Sequence, residues 1–160
     1  MADEVPDEVV VSELDDVTPD VVAAFERLIP QLSRFSPAPD EAQLAEMLAA
    51  PGTVVLVARD RGGEGAIVGS LTLVTFRTPT GTRAWIEDVV VDDAARGRGV
   101  GGALNRAALD AARAMGAKTV DLTSRASREV ANRLYQRLGF EQRETNVYRI
   151  VIGNEDEPGR

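Results

Sequence analysis

The stretch Trp85-Ile86-Glu87-Asp88-Val89-Val90-Val91-Asp92-Asp93-Ala94-Ala95-Arg96-Gly97-Arg98-Gly99-Val100-Gly101-Gly102 decides how this chain is read. Within it Val89-Val90-Val91 is a short apolar, β-branched run, the composition of a strand. A charged, glycine-rich turn follows. Beyond it Val100, Leu104, Ala107, Ala108, Ala111 and Met115 recur at helical spacing, and Gly116 is a stop. Strand, glycine turn and helix start in that order build a cradle for phosphate. The first amides of a helix have no intrahelical acceptor, and the helix dipole favours negative charge beside them. Gly97, Gly99 and Gly101 let the backbone approach a ligand with no Cβ between. Three alternating glycines, interleaved with Arg96 and Arg98, exceed what a purely structural strand–helix turn needs.

Working outward, Val9-Val10-Val11 reads as a first strand. Thr18 and Pro19 occupy the N-cap and first position of a helix carrying Val22, Phe25, Leu28, Ile29 and Leu32. Asp40 caps a second, short helix through Leu44, Met47 and Leu48 that Pro51-Gly52 stops. Strands are expected from Val54 to Ala58, from Ile67 to Phe76 and from Trp85 to Val91. The turns at Arg61-Gly62-Gly63 and Thr78-Pro79-Thr80-Gly81 make them an antiparallel meander. Past the glycine-turn helix, Thr119 to Thr123 is a strand. Ser127 can cap a helix with Val130, Ala131, Leu134, Tyr135 and Leu138, and Phe140 and Val147 to Ile152 supply the last strands. The ends, 1–7 and 153–160, read as frayed and solvated.

Composition narrows the chemistry. At 44% hydrophobic and 28% charged, the 160 residues suit one globular domain of 1–160 with a core of about 8–152. There is no histidine and no cysteine, which excludes a Ser-His-Asp triad, a thiolate nucleophile and the usual zinc sites. A general base must then be a carboxylate, a neutral Lys, a Tyr or a water polarised by one of these; no metal is expected. The net charge of −8 argues against a nucleic-acid surface and mildly favours a cationic substrate. No apolar run approaches the roughly 18 residues of a membrane span, and the acidic start lacks a signal core. The expected setting is the cytoplasm, away from membranes.

Gly97, Gly99 and Gly102 also satisfy the dinucleotide fingerprint G-x-G-x-x-G, which opens the first βαβ unit of its fold. Here several strands precede it, so a dinucleotide-dependent oxidoreductase is a distant alternative.

A resemblance carries the reading further. Arg96-Gly97-Arg98-Gly99-Val100-Gly101 is similar to the (Gln/Arg)-x-x-Gly-x-(Gly/Ala) signature of the GNAT superfamily, the acetyl-CoA-dependent N-acetyltransferases. Ala131-Asn132-Arg133-Leu134-Tyr135-Gln136-Arg137-Leu138-Gly139-Phe140 resembles the second signature of that family. The resemblance covers about Val9 to Ile152. It implies the α/β acyl-CoA N-acyltransferase fold, a mixed sheet of about seven strands flanked by about four helices. It implies acetyl-CoA as co-substrate, acetyl transfer to the primary amine of a small molecule or peptide by direct attack through a tetrahedral intermediate, and frequent homodimers. A module of the same fold that binds acetyl-CoA without catalysis is the alternative from another class.

Carried over residue by residue, the resemblance implies that the Val89-Val90-Val91 backbone pairs with the pantetheine arm. The amides of Arg98, Gly99, Val100, Gly101 and Gly102, after Gly97, bind the pyrophosphate, and the Arg96 and Arg98 side chains add charge. Asn132 hydrogen-bonds the cofactor arm, and Tyr135 protonates the departing thiolate. Arg128 stands where the family commonly has Asn, so it either caps the helix or reaches a phosphate. Ala84 to Val91 resembles the corresponding strand of glucosamine-phosphate N-acetyltransferases. One of Glu87 and Asp88 is then the base, because neighbours on a strand point to opposite faces. Strict alternation places Glu87 with Val89 and Val91 and favours Glu87, acting through water.

Overall fold

The computed structural model describes residues 9–153. They fall into two compact units, one running through Ser124 and one beginning at Arg125. The first holds strand β1 (Val9–Glu13), helices α1 (Pro19–Leu32) and α2 (Glu41–Ala49), and strands β2 (Thr53–Asp60), β3 (Ile67–Thr78) and β4 (Gly81–Val91). A 3-10 turn (Asp93–Ala95), helix α3 (Val100–Ala114) and the short strand β5 (Val120–Asp121) complete it. The second unit holds helix α4 (Glu129–Arg137).

The sheet order is β1-β2-β3-β4-β5; the first four strands are antiparallel and β5 is parallel to β4. The meander expected from the turns is present. The number of strands is not: the sheet has five rather than about seven. Phe140 and Val147–Ile152 form no strand, and Val147, Ile150, Val151 and Ile152 are 70–92% exposed. Apolar, β-branched residues supply the side chains of a strand. The strand itself exists only where a neighbour completes the backbone ladder, and among the described residues none does. The expected strand Thr119–Thr123 is likewise cut to its first paired residues, Val120 and Asp121. The ends, except Gly153, lie outside the described residues.

Helix caps follow the local sequence. Asp40 Oδ1 accepts from the Gln43 amide at 2.8 Å and Gln43 Oε1 accepts from the Asp40 amide at 3.0 Å, a reciprocal cap that starts α2. Thr18 has the extended backbone of an N-cap with Pro19 behind it, but its hydroxyl donates to Asp20 Oδ1 instead of closing the cap.

The two faces of the sheet are covered differently. Val21, Ala24, Phe25 and Leu28 of α1 and Leu44 of α2 pack with Val55, Val57, Ile67 and Val90. On the other face, Gly69 lies under α3. A Cβ there would stand 3.0 Å from Val100 Cγ1, 3.1 Å from Leu104 Cδ1 and 3.1 Å from the Val90 carbonyl oxygen. Strand β2 is therefore buried on both sides from Val54 to Ala58, and burying each such aliphatic side chain is worth about 1.5–3 kcal/mol. The close approach at Gly69 sets how far α3 sits from the sheet, and with it the helix start that the site uses. Gly69→Ala is expected to cost about 1–3 kcal/mol, the usual range for overpacking, read as a lower denaturation midpoint with unchanged slope.

Among the described residues no helix is long and apolar enough to cross a membrane.

Candidate active site

The site begins with an opening in the sheet. Strand β5 pairs with β4 only at Ala84↔Val120 and Trp85↔Asp121. From Ile86 to Val91, β4 pairs with β3 on one edge and with no described strand on the other. Val89, Val90 and Val91 thus lie on an edge able to accept an extended ligand as an added strand.

A bulge sits in the same stretch. Thr72 faces Glu87 and Ser70 faces Val90, so β3 advances two residues while β4 advances three. Asp88 takes the left-handed conformation, with φ 50°, rare for a residue other than glycine. The extra residue overturns simple alternation: Glu87 shares its face with Val90, on the α1 side, and not with Val89 and Val91. Nothing in local composition announces the bulge, because it arises from how β4 is matched to β3.

The turn after β4 is anchored from outside. Arg27 of α1 donates through Nε to Asp92 Oδ2 at 2.8 Å and through Nη2 to the Ile67 carbonyl at 2.6 Å. Asp92 Oδ1 accepts from the Ala94 amide at 3.1 Å, and Gln31 Oε1 accepts from the Asp93 amide at 2.8 Å. One face of α1 therefore builds the core while the other holds the entrance to the glycine turn. Arg27 and Gln31, one helical turn apart, are supports of this turn that the sequence reading missed; their partners Asp92 and Asp93 lie more than 60 residues away in the chain, and Ile67 lies 40 away. The Arg27 guanidinium hydrogen-bonded to Asp92 holds that carboxyl below its ordinary value. A depressed carboxylate contributes stability that is present above its unfolded pKa and lost as pH falls through the folded one. Arg27→Met should flatten that acid-side loss below about pH 4, read as denaturation midpoints against pH for both proteins.

Gly97 and Gly99 have φ of 76° and 74°, and Gly99 is the N-cap of α3. A Cβ on Gly97 would meet nothing within 4 Å, so backbone conformation and open space, not packing, call for glycine there. The first intrahelical bond of α3 is Ala103 N–H to the Gly99 carbonyl at 3.0 Å, so the Val100, Gly101 and Gly102 amides precede it. Asn105, fully buried in α3, donates Nδ2 to the Gly101 carbonyl at 2.8 Å, and its Oδ1 has no partner. The two arginines already face carboxylates: Arg96 meets Asp93 at 2.6 Å, and Arg98 meets Asp60 of β2 at 2.9 Å. The cradle is thus mainly backbone, with Arg98 also holding the turn against β2.

Glu87 is exposed, and its Oε1 accepts from Trp85 Nε1 at 2.8 Å. Asp88 is exposed at the bulge.

In the second unit Tyr135 is only 8% exposed and stands edge-on to Phe140, ring centroids 5.8 Å apart at 73°. Burial raises the pKa of its phenol, and the Arg128 charge partly opposes this, so Tyr135 carries its proton at neutral pH. Arg128 is the N-cap residue of α4, where Ser127 was expected, and makes no side-chain cap bond. Asn132 Nδ2 donates to the Arg125 carbonyl at 3.0 Å, which closes the turn before α4. That amide nitrogen is engaged within its own unit.

Among the described residues no group of three or more acidic, His or Cys side chains is placed to hold a metal ion. The antiparallel meander ahead of the glycine turn is not the βαβ unit that a dinucleotide fingerprint opens.

The model of the acetyltransferase (GNAT) family matches residues 20–140. No curated protein matches the chain. Among solved structures, the chain is similar to an acetyltransferase of Trypanosoma brucei at 28% identity and a TM-score of 0.72, covering 90% of this chain and 100% of that one. It shares its fold with an aminoglycoside acetyltransferase from an uncultured soil metagenomic sample, at 21% identity and a TM-score of 0.77 over 93% and 100%. It also shares it with the glucosamine-6-phosphate N-acetyltransferase of Arabidopsis thaliana, at 21% identity and 0.74 over 89% and 97%. With an open strand edge running into a glycine turn, and a family match spanning both signatures, the chain belongs to the GNAT family of acetyltransferases.

Proposed function

We propose that this protein transfers an acetyl group from acetyl-CoA to a primary amine. The observation that carries the reading is the continuity of three features in one unit: the β4 edge with no described partner strand, the left-handed glycine turn, and the first amides of α3, which precede its first intrahelical bond. An arm able to lie as an extra strand, ending in a pyrophosphate, fits that sequence of donors and acceptors, and the empty space at Gly97 admits it.

When bound, acetyl-CoA supplies an acetyl thioester that an amine can attack and a sulfur that leaves. The Val89–Val91 backbone holds the arm, and one of its amides polarises the thioester carbonyl, an oxyanion-type role. The amides from Arg98 to Gly102 bind the pyrophosphate. Glu87 takes the proton of the acceptor ammonium through water. Tyr135 keeps its phenolic proton at neutral pH, and by the family resemblance it would be the proton donor to the departing sulfur. Asn132 supports α4 through its bond to Arg125, and by the family resemblance it would hydrogen-bond the arm.

The test is a thermal-shift titration with acetyl-CoA, with NADH in parallel, followed by a free-thiol assay over a panel of amines. At 100 times its dissociation constant a ligand adds about 2.7 kcal/mol. Stabilisation by acetyl-CoA but not NADH, and amine-dependent thiol release, are the expected results. Stabilisation by NADH alone would overturn the reading. Acetyl-CoA binding without thiol release for any amine would leave a binding module.

A further inference from the structure

We propose that the acceptor amine lies on the sheet face carrying Glu87, and that it is an ammonium borne on a flat apolar body, such as an arylalkylamine. The inference rests on the acetyltransferase reading above and names its substrate class.

The β3–β4 register sets Thr72 opposite Glu87, Val74 opposite Trp85 and Phe76 opposite Arg83. Directly opposed residues share a face. Helices α1 and α2 cover the part of that face formed by Val55, Val57 and Val90. They leave the next part open: Val74 and Trp85 are half-buried, Phe76 is 40% exposed and Glu87 is exposed. An isopropyl group, an indole and a phenyl ring therefore stand in adjacent positions on a solvent-facing sheet, next to a carboxylate. Apolar surface of this kind gains free energy when a ligand covers it.

The carboxylate is oriented toward this row. Trp85 Nε1 donates to Glu87 Oε1 at 2.8 Å, while Oε2 has no protein donor among the described residues. An ammonium facing Oε2 across one water gains the attraction of its charge, and the neighbouring indole adds cation–π attraction. Its hydrocarbon part then covers Val74 and Phe76. The surroundings discriminate against other acceptors. Arg83, the cation of this row, pairs with Asp121 at 3.0 Å, which reduces the net positive charge the row presents to an acceptor phosphate. A sugar needs many hydrogen-bonding groups, and the row offers the Thr72 hydroxyl beside three apolar side chains.

Trp85 is the only tryptophan of the chain, so its emission reports on this face alone. The experiment titrates 2-phenylethylamine and, separately, glucosamine 6-phosphate into the full chain, with and without saturating CoA. A saturable change with 2-phenylethylamine is expected, with no change from glucosamine 6-phosphate over the same range. Glu87→Gln should raise the 2-phenylethylamine dissociation constant about tenfold or more, equivalent to about 1.4 kcal/mol, and Phe76→Ala should raise it several-fold. No saturable response to 2-phenylethylamine, or a dissociation constant unmoved by Glu87→Gln, would overturn the proposal. So would a dimer that Phe76→Ser separates, since a second copy would then cover the face. Acetyl-CoA stabilisation and thiol release with a silent Trp85 would overturn this proposal and leave the transferase reading standing. The converse, a Trp85 response without acetyl-CoA stabilisation, would sink the transferase reading and keep the amine site.

Discussion

Tyr135→Phe is expected to lower kcat by about 10²–10⁴, the range for losing a positioned general acid, with a much smaller change in the dissociation constant for acetyl-CoA. The substitution removes one oxygen from a side chain that is 8% exposed and packed edge-on against Phe140, so the ring and its contacts remain. A phenol can donate only while protonated. Burial raises its pKa above the ordinary value of 10.0, and Arg128 offsets part of the rise. Loss of activity through Tyr135 at high pH should therefore begin above the pH at which an exposed tyrosine ionises. Steady-state kinetics of both proteins across the alkaline range, with acetyl-CoA affinity measured separately by thermal shift, give the answer. Wild-type kcat in the Tyr135→Phe protein would remove Tyr135 from the chemistry and leave it as an aromatic packed on Phe140.

Gly97→Asp should weaken acetyl-CoA binding by about two orders of magnitude while costing the fold little. The position has φ 76° and nothing within 4 Å of a Cβ, so the penalty in the free protein is the left-handed backbone alone, about 1–2 kcal/mol. In the bound state a carboxylate would enter the cradle. At an effective dielectric of about 20, two like unit charges about 5 Å apart repel by about 3 kcal/mol, roughly a hundredfold in affinity. Gly97→Ala separates the terms, because it keeps the backbone penalty and adds no charge. Equal losses from Ala and Asp would mean that the turn does not face a phosphate. Calorimetric titration with CoA and denaturation of the three proteins measure both quantities.

How much of this was legible beforehand varies with the range of the interaction responsible. The glycine turn, both ends of α3, the capped start of α2 and the meander depend on neighbours within a few residues, and they could be read directly. The same holds for the placement of Asn132 and Tyr135 on one side of α4, since a three-residue separation on a helix puts side chains together. The pairing of Val147–Ile152 could not be read this way. Its composition suits a strand, but a strand is a property of two segments.

The sequence by itself determined the chemistry on offer: no histidine or cysteine, a glycine turn leading into a helix start, a phenol, and two adjacent carboxylates within β4. These follow from residue types and short spacings. Tertiary structure alone decided which way they point. The extra residue at Asp88 turns Glu87 to the α1 side, a consequence of matching β4 to β3 that no single strand contains. Long-range pairing also placed Arg27 and Gln31 against the entrance to the glycine turn, set Arg98 against Asp60, and left one edge of β4 with no described strand beyond Trp85. Each joins segments tens of residues apart, and the free energy that selects such contacts comes from burying the whole core.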